Sequence, residues 1–265
     1  MTYFISSFDP ISQKELDYIK DYRKKNHLRK VFLVVKDDGI LDKKDRIKIL
    51  KKAMKPYRYM QIAQQAKEGI ALDESDEKLI RQGYLKYCAN GIVNEILRNG
   101  YYFEEIIAYH CKKTRKDHAM RVAALAKDLA KRHGLNEIVA YQMGILHDIT
   151  KDKDDAFHER ILQKEDKERL KENKNIWHSY SASYWLKKNM YIHDKRILNA
   201  IYYHTVGNPK GKYNQLLFIA DKIEPGRKYD VSKETELAKK DLKKGYWLVY
   251  EEAKEYIYET EGIHV

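Results

Sequence analysis

The chain has 265 residues, 43% hydrophobic and 35% charged, so it is long enough for one large or two modest domains and too apolar for wholesale disorder. Its 52 Lys and Arg residues against 40 Asp and Glu residues give a formal charge of +12. Two cysteines exclude a disulfide framework and a four-thiolate zinc site, and no apolar run reaches the ~18–20 residues that would cross a bilayer. We therefore expect a cytoplasmic protein without a membrane segment.

The first hundred residues predict the beginning of a βαβ unit. Tyr3–Ile5 is a short apolar run, residues 13–25 have helical periodicity, and Val31–Val35 is a β-branched run suited to a buried parallel strand. A further basic helix is predicted from Asp45 to Met54. Because no more strands are evident in this region, we predict a small Rossmann-like α/β domain over residues 1–100, not a complete doubly wound sheet.

Most of the positive charge lies in residues 21–60, which hold 14 Lys and Arg residues against 5 Asp and Glu residues. This segment predicts either a solvated lysine-rich helix face or a surface for nucleic acid or phosphates. Charge alone specifies no partner, so both interpretations stay open here.

The segment Ser7-Phe8-Asp9-Pro10-Ile11 follows the first predicted strand and resembles the opening motif of nicotinate-mononucleotide adenylyltransferases. That family continues with an HxGH motif, whose two histidines hold the triphosphate beside a helix N-terminus. Ser12 and Glu15 occupy the two histidine positions in this chain, and Glu15 places negative charge where phosphate would lie. We therefore interpret the first domain as a shortened, catalytically inactive relative, kept for packing or for ligand binding.

From about residue 101 the periodicity is helical throughout, which predicts an all-α bundle over residues 101–265 and an α+β chain overall. Gly134 is expected to end one helix and Asn136 to begin the next. The predicted helices cover residues 115–133, a stretch after 136, and residues 179–189, 194–204, 213–221 and 232–260.

His147-Asp148 is the most informative pair in the sequence, an imidazole and a carboxylate at a predicted helix end. Adjacent helical residues point about 100° apart, so both converge on one ion most easily where the helix stops. His118, His178, His204 and Asp221 flank the pair along the chain. Such a mixed nitrogen and oxygen donor set suits a divalent transition metal, with iron our first expectation and Mn, Co, Ni or Zn as alternatives, better than Ca or Mg.

The order His, His-Asp, Asp resembles the HD-domain metal phosphohydrolases, and five motifs resemble the YqeK-type group, the symmetrical diadenosine tetraphosphate hydrolases. Those motifs are Arg115-Lys116-Asp117-His118, His147-Asp148-Ile149-Thr150-Lys151, Ile176-Trp177-His178, His204-Thr205-Val206-Gly207 and Ala220-Asp221-Lys222-Ile223-Glu224-Pro225-Gly226-Arg227. Their sequence order matches the family across residues 115–227.

The resemblance implies symmetric cleavage of diadenosine tetraphosphate to two ADP by a metal-activated water. It implies metal ligands at His118, His147, Asp148 and Asp221, and catalytic roles for Asp148, Lys151, His178 and His204. The expected substrate contacts are Arg115, His118, Asp148, Lys151, His178, His204, Thr205, Asp221 and Arg227, with the two arginines as phosphate clamps. Glu224 and Pro225 are expected to shape a turn.

Two alternatives compete with this hypothesis. Another HD reaction, on a nucleoside monophosphate or a cyclic dinucleotide, would use the same metal core. A nucleotide- or RNA-binding sensor would instead use the basic segment 21–60 as its working surface. A homodimer is possible, and the sequence does not determine the oligomeric state.

Overall fold

The structure is a computed structural model that describes residues 1–261, with side chains through residue 254. It divides into two compact units, the first over Met1–Ile106 and the second beginning at Ile107. The α+β prediction is confirmed, because a small parallel sheet accompanies many helices. None of the described helices is both long and apolar enough to cross a membrane.

The first unit is built on a four-stranded parallel sheet. The strands are β1 (Tyr3–Ser6), β2 (Val31–Val35), β3 (Met60–Ala63) and β4 (Ile70–Ala71), in the order β3-β2-β1-β4. Helix α1 (Gln13–Lys25) connects β1 to β2, and α2 (Lys43–Met54) connects β2 to β3. The predicted helix over residues 13–25 and the strand over 31–35 are confirmed, whereas β3 and β4 were not predicted.

The rest of the first unit is helical. It contains α3 (Ser75–Arg81), a 3-10 turn at Leu85–Tyr87 and α4 (Val93–Asn99), and the chain enters the second unit within α5 (Phe103–His110).

The second unit has no strand among its described residues. Its helices are α6 (Lys113–Arg132), α7 (Glu137–Leu146), α8 (Asp155–Glu165), α9 (Trp177–Asn189), α10 (Lys195–Tyr203), α11 (Lys212–Ile223), α12 (Ser232–Lys240) and α13 (Leu242–Glu261), with 3-10 turns at Lys167–Lys171 and Lys174–Ile176. The amide N–H groups of Ile138 and Val139 donate to the side chain of Asn136, which caps α7 as predicted, and Gly134 has φ of 63° just past α6.

Helices α6 and α7 pack closely enough to bring their histidines together. A Cβ added to Gly144 on α7 would lie only 2.6 Å from the Cα of Ala123 on α6, so no larger residue fits at this crossing. Ala119, Val122 and Ala126 lie on the same buried face of α6. The close crossing places His118 of α6 and His147 at the end of α7 with ring centroids 5.3 Å apart.

The prediction of one continuous helix over residues 232–260 is wrong. The chain breaks at Asp241, whose φ of −146° and ψ of 102° are extended, and α12 and α13 lie on either side. The carboxylate of Asp241 accepts a hydrogen bond from the Lys244 amide at 3.0 Å and so caps α13. The hydrophobic periodicity does not show the break, because both helices are amphipathic and a single residue, Asp241, separates them.

Candidate metal centre

The His118, His147, Asp148 and Asp221 side chains come from three helices and meet in the core of the second unit. As predicted, the His147-Asp148 pair lies where α7 ends, at Leu146. Asp221 is in the last turn of α11, and its Oδ1 lies 3.1 Å from His118 Nε2 and 3.6 Å from His147 Nε2. His147 Nε2 lies 3.7 Å from Asp148 Oδ2. The two carboxylates are therefore joined through one imidazole.

His178 and His204 approach the same centre from the other side of Asp148. His178, in the first turn of α9, places Nε2 3.3 Å from Asp148 Oδ1. His204, which ends α10, places Nε2 3.4 Å from the same oxygen. Asp148 thus divides its two oxygens between different sets of imidazoles, and the structure brings all six predicted His and Asp residues together.

Three of these imidazoles are oriented in the same way. Each places Nδ1 within hydrogen-bond distance of a backbone carbonyl three residues earlier; with the proton on that nitrogen, Nε2 presents a lone pair to the carboxylates. The pairs are His147 with Gly144 O (2.7 Å), His178 with Asn175 O (2.8 Å) and His204 with Ile201 O (2.6 Å). His147 Nε2 is buried and has no hydrogen-bond partner in the described part of the chain.

Burial disfavours every charge at this centre, and neighbouring groups decide which charges persist. Burial opposes ionisation of Asp148 and Asp221, yet the imidazoles and cations around them hold both pKa values well below the usual range. Burial lowers the pKa of His178 to about 3 and also lowers that of His204, with only partial opposition from Asp148. For His147 burial is outweighed by the two carboxylates, which raise its pKa.

Ionised carboxylates that face imidazole lone pairs are the donor arrangement of a metal centre. The possible ligand atoms fall into groups within 4.8 Å of one another: His118, His147 and Asp148; His147, His204 and Asp221; and Asp148, His178 and His204. The orphaned His147 Nε2 supports the same interpretation, because a buried ring nitrogen without a partner is costly unless a cation binds it. The residues present therefore fit a divalent transition metal.

A cavity of about 270 Å³ opens over this centre and is rich in cations. Arg115 donates to Asp148 Oδ2 at 2.9 Å, and Arg227 lies 3.4 Å from Asp221 Oδ1. Lys151 donates to Asn175 O at 2.9 Å. Thr205 also lines the cavity, so every predicted substrate contact does so.

Three residues that line the cavity were not predicted: Lys222, Asn175 and Ile176. Lys222 Nζ lies 2.7 Å from Asp221 Oδ2, the oxygen of that carboxylate that faces away from the imidazoles. Its position directly after a predicted ligand was a usable signal. Asn175 and Ile176 carry no chemical signature, and only the fold places them here.

The segment that follows β1 in the first unit is the one that resembles the adenylyltransferase motif. Ser12 and Glu15 form a capping box at the start of α1: the Ser12 side chain accepts from the Glu15 amide, and Glu15 Oε2 accepts from the Ser12 amide at 2.8 Å. The helix N-terminus is thereby satisfied by its own side chains. The two positions that hold phosphate in the adenylyltransferases are used here to close the helix.

Glu15 belongs to a buried group of acidic side chains. Ser6 Oγ lies 2.7 Å from Glu15 Oε1 and 3.2 Å from both Glu74 Oε1 and Glu77 Oε1, although one hydroxyl can donate only one hydrogen. Glu15 and Glu77 are both buried, so two charges side by side are disfavoured here. Burial and the charge of Glu77 raise the pKa of Glu15 to about 8, against the hydrogen bonds from Ser12 and Ser6.

This raised pKa predicts a pH-dependent stability of the first unit. The folded state binds the Glu15 proton more tightly than the unfolded state, so the contribution is fully present below about pH 4.5 and is lost as pH rises through about 8. We expect Glu15→Gln, which keeps a capping acceptor, to remove most of a loss on the order of a few kcal/mol. Urea unfolding followed by circular dichroism at pH 5, 7 and 9 measures it.

The exposed Glu68→Gln variant is the matched control and should keep the wild-type pH dependence. Parallel pH profiles for wild type and Glu15→Gln would contradict the assignment of the buried proton to this group.

The second unit is an all-helical bundle with two buried carboxylates surrounded by four imidazoles. This combination places it in the class of helical domains with a candidate metal centre. Residues 115–226 match the family model described as HD domain, and HD domains bind divalent metals. A crystal structure described as a predicted HD superfamily hydrolase involved in NAD metabolism, from Clostridium acetobutylicum, superposes with a TM-score of 0.56 at 25% identity. It covers 61% of this chain and 88% of that one.

Two relatives indicate which group within the HD-domain family the chain is similar to. Over 129 residues the chain is 31% identical to the symmetrical bis(5'-nucleosyl)-tetraphosphatase of Bacillus subtilis, which covers 47% of this chain and 69% of that protein. Over 184 residues it is 31% identical to a Mycoplasma genitalium protein named probable nicotinate-nucleotide adenylyltransferase/Ap4A hydrolase, covering 66% of this chain and 52% of that protein. The chain thus spans about half the length of that relative. It belongs to the HD-domain family, in the YqeK-type group.

Proposed function

We propose that the chain hydrolyses diadenosine tetraphosphate symmetrically to two ADP, using a divalent transition metal, with iron as the first candidate. The observation that carries this proposal is the cavity itself, where ionised carboxylates and imidazole lone pairs form the floor and four cations stand around them. Such a site suits a substrate that is a chain of phosphates. The names of the Bacillus subtilis and Mycoplasma genitalium relatives support the same substrate class.

His118, His147, Asp148 and Asp221 would hold one ion. His178 and His204, with the second oxygen of Asp148, are arranged to hold another. A bound divalent metal supplies Lewis-acid polarisation of phosphate oxygens and activates water as the nucleophile.

The structure favours metal ligation over proton donation for His178 and His204. In both, Nδ1 is directed at a backbone carbonyl, and Nε2 faces Asp148. The Nδ1 of His178 also lies 3.1 Å from Lys151 Nζ, so both ring nitrogens of His178 already have partners within the protein, and its lowered pKa, about 3, keeps the ring neutral at working pH. His178 and His204 would then contribute by holding a metal ion in place and not by donating a proton.

The cations would bind and orient the phosphates. Arg115 is held by Asp152 at 3.0 Å as well as by Asp148, so its planar guanidinium is fixed at the cavity wall. Arg227 and Lys222 both reach Asp221 from the opposite side. All three side chains line the cavity, so they would stand beside a bound phosphoryl group and stabilise the charge that develops on it during cleavage.

Product analysis tests this proposal. With Fe²⁺, Mn²⁺ or Co²⁺ present, we expect diadenosine tetraphosphate to yield ADP as the product in twofold amount. AMP plus ATP would contradict symmetric cleavage. Turnover of a nucleoside monophosphate or cyclic dinucleotide, with none of dinucleoside polyphosphates, would assign the site to another HD reaction.

For the first unit we propose the absence of adenylyltransferase activity. The support is the Ser12–Glu15 capping box, which occupies the helix N-terminus that the transferase histidines would flank. We expect no dinucleotide from nicotinate mononucleotide and ATP, measured by chromatography of the products. Robust synthesis would overturn this proposal and leave the hydrolase proposal untouched.

A further inference from the structure

Glu224 belongs to a motif to which the proposed chemistry assigns no role. It follows α11 directly, is only 2% exposed, and accepts hydrogen bonds at both carboxylate oxygens. Oε1 faces His118 Nδ1 at 3.2 Å, and Oε2 accepts from the Gly226 amide at 2.6 Å. Arg121 reaches both oxygens, with Nε 2.5 Å from Oε2 and Nη2 3.2 Å from Oε1. A residue expected only to shape a turn thus touches a candidate metal ligand.

The position of His118 explains why it needs this partner. The other three imidazoles lie at helix ends and direct Nδ1 at the carbonyl three residues earlier. His118 lies in the second turn of the 20-residue helix α6, where the carbonyls of its own helix are used by backbone hydrogen bonds. The acceptor for its Nδ1 proton must therefore come from another element, and the turn after α11 provides it.

The contacts of Glu224 make its hydrogen bond to His118 directional. Arg121 and the Gly226 amide donate to the carboxylate, so its oxygens act as acceptors. His118 has a carboxylate at each ring nitrogen: Nδ1 faces Glu224 Oε1, and Nε2 lies 3.1 Å from Oδ1 of the candidate metal ligand Asp221. With a metal on the Nε2 side, the one proton of the ring would lie on Nδ1 and donate to Glu224.

Arg121 fixes Glu224 in turn. It lies one turn after His118 on the same helix, so a single helix carries both the imidazole and the cation that holds its carboxylate partner. Gly226 leaves room for this arrangement, because an added Cβ would meet the Arg121 guanidinium and displace it.

We propose that Glu224 and Arg121 are a positioning pair that orients His118 and fixes its Nδ1-H tautomer for metal binding. The inference rests on the proposed metal centre but not on the identity of the substrate. Carboxylate partners of this kind typically change metal affinity by ~10–100-fold when they are removed.

Mn²⁺ titration of the metal-free full chain, followed by electron paramagnetic resonance, tests the pair. We expect Glu224→Gln to weaken Mn²⁺ binding by ~10–100-fold and Arg121→Lys to keep part of the wild-type affinity. In nitrogen NMR spectra of the metal-free protein, the tautomer balance of His118 should shift away from Nδ1-H in Glu224→Gln. The exposed Arg132→Gln variant of α6 is the control and should match wild type.

Unchanged Mn²⁺ affinity and an unchanged His118 tautomer in Glu224→Gln would overturn the proposal, whatever happens to thermal stability. If that variant fails to fold, Arg121→Ala carries the same test with the same expected direction. Weakened Mn²⁺ binding supports the pair even if the wild-type protein does not cleave diadenosine tetraphosphate, so the two proposals can fail separately.

Discussion

Replacing Asp148 by alanine is expected to lower the hydrolysis of diadenosine tetraphosphate by at least ~10³-fold, equivalent to about 4 kcal/mol of transition-state stabilisation. Asp148 is the carboxylate that both groups of imidazoles share: Oδ1 faces His178 and His204, and Oδ2 faces His147. Its loss removes a candidate ligand from both of the ions proposed for the centre. Steady-state kinetics with product identification, at saturating metal, measure the effect.

Asp148→Asn separates charge from shape, since it keeps the side chain's size and one acceptor oxygen. We expect it to be nearly as inactive as the alanine variant, because an amide is a poor ligand for a transition metal. Asp128→Asn, an exposed change in the same unit, should retain full activity. Substantial hydrolysis in both Asp148 variants would contradict the proposed centre as the site of the reaction.

The sequence could indicate which six His and Asp residues the fold brings together, because they stand in short local motifs. His147-Asp148 could be placed at a helix end, and that end is what allows Nδ1 of His147 to reach Gly144 O. The contacts that the sequence could not provide are long-range ones. Glu224 meets His118 across 106 positions of sequence, and no periodicity links the two residues.

The fold of the first unit was harder to predict for a related reason. β4 has two residues and β3 has four, too short for an alternating or continuous apolar pattern to stand out. Their pairing depends on neighbours far along the chain: Ile70 and Ala71 add to the edge of β1, whose other edge is taken by β2. Local propensity carries little information about such additions.

Several cations of the basic segment 21–60 have structural roles. Arg46 is 1% exposed and donates to four backbone carbonyls, including Ser7 O and Leu41 O. Lys48 and Lys52 both pair with Glu95, at 2.8 and 2.5 Å. Part of the charge surplus therefore holds the first unit together, and the cations best placed for a phosphate chain belong to the metal cavity instead.

Removing the metal is expected to lower the thermal stability of the second unit. In the metal-free state two ionised carboxylates face imidazole lone pairs, and His147 Nε2 has no hydrogen-bond partner within the described residues. An ion that binds only the folded state stabilises it by about 4 kcal/mol at ~1,000 times its dissociation constant. For a unit of this size, that corresponds to roughly 10 °C in Tm.

All three tryptophans lie in the second unit, so tryptophan fluorescence reports its unfolding. We expect chelator-treated protein to melt earlier, and Mn²⁺ to restore the wild-type Tm. Asp221→Asn should lose that gain, because Asp221 faces both His118 and His147 and its carboxylate is a candidate ligand. The exposed Asp128→Asn variant should keep the gain. An equal Mn²⁺ effect in Asp221→Asn and wild type would place the stabilising ion elsewhere and so separate metal binding from this centre.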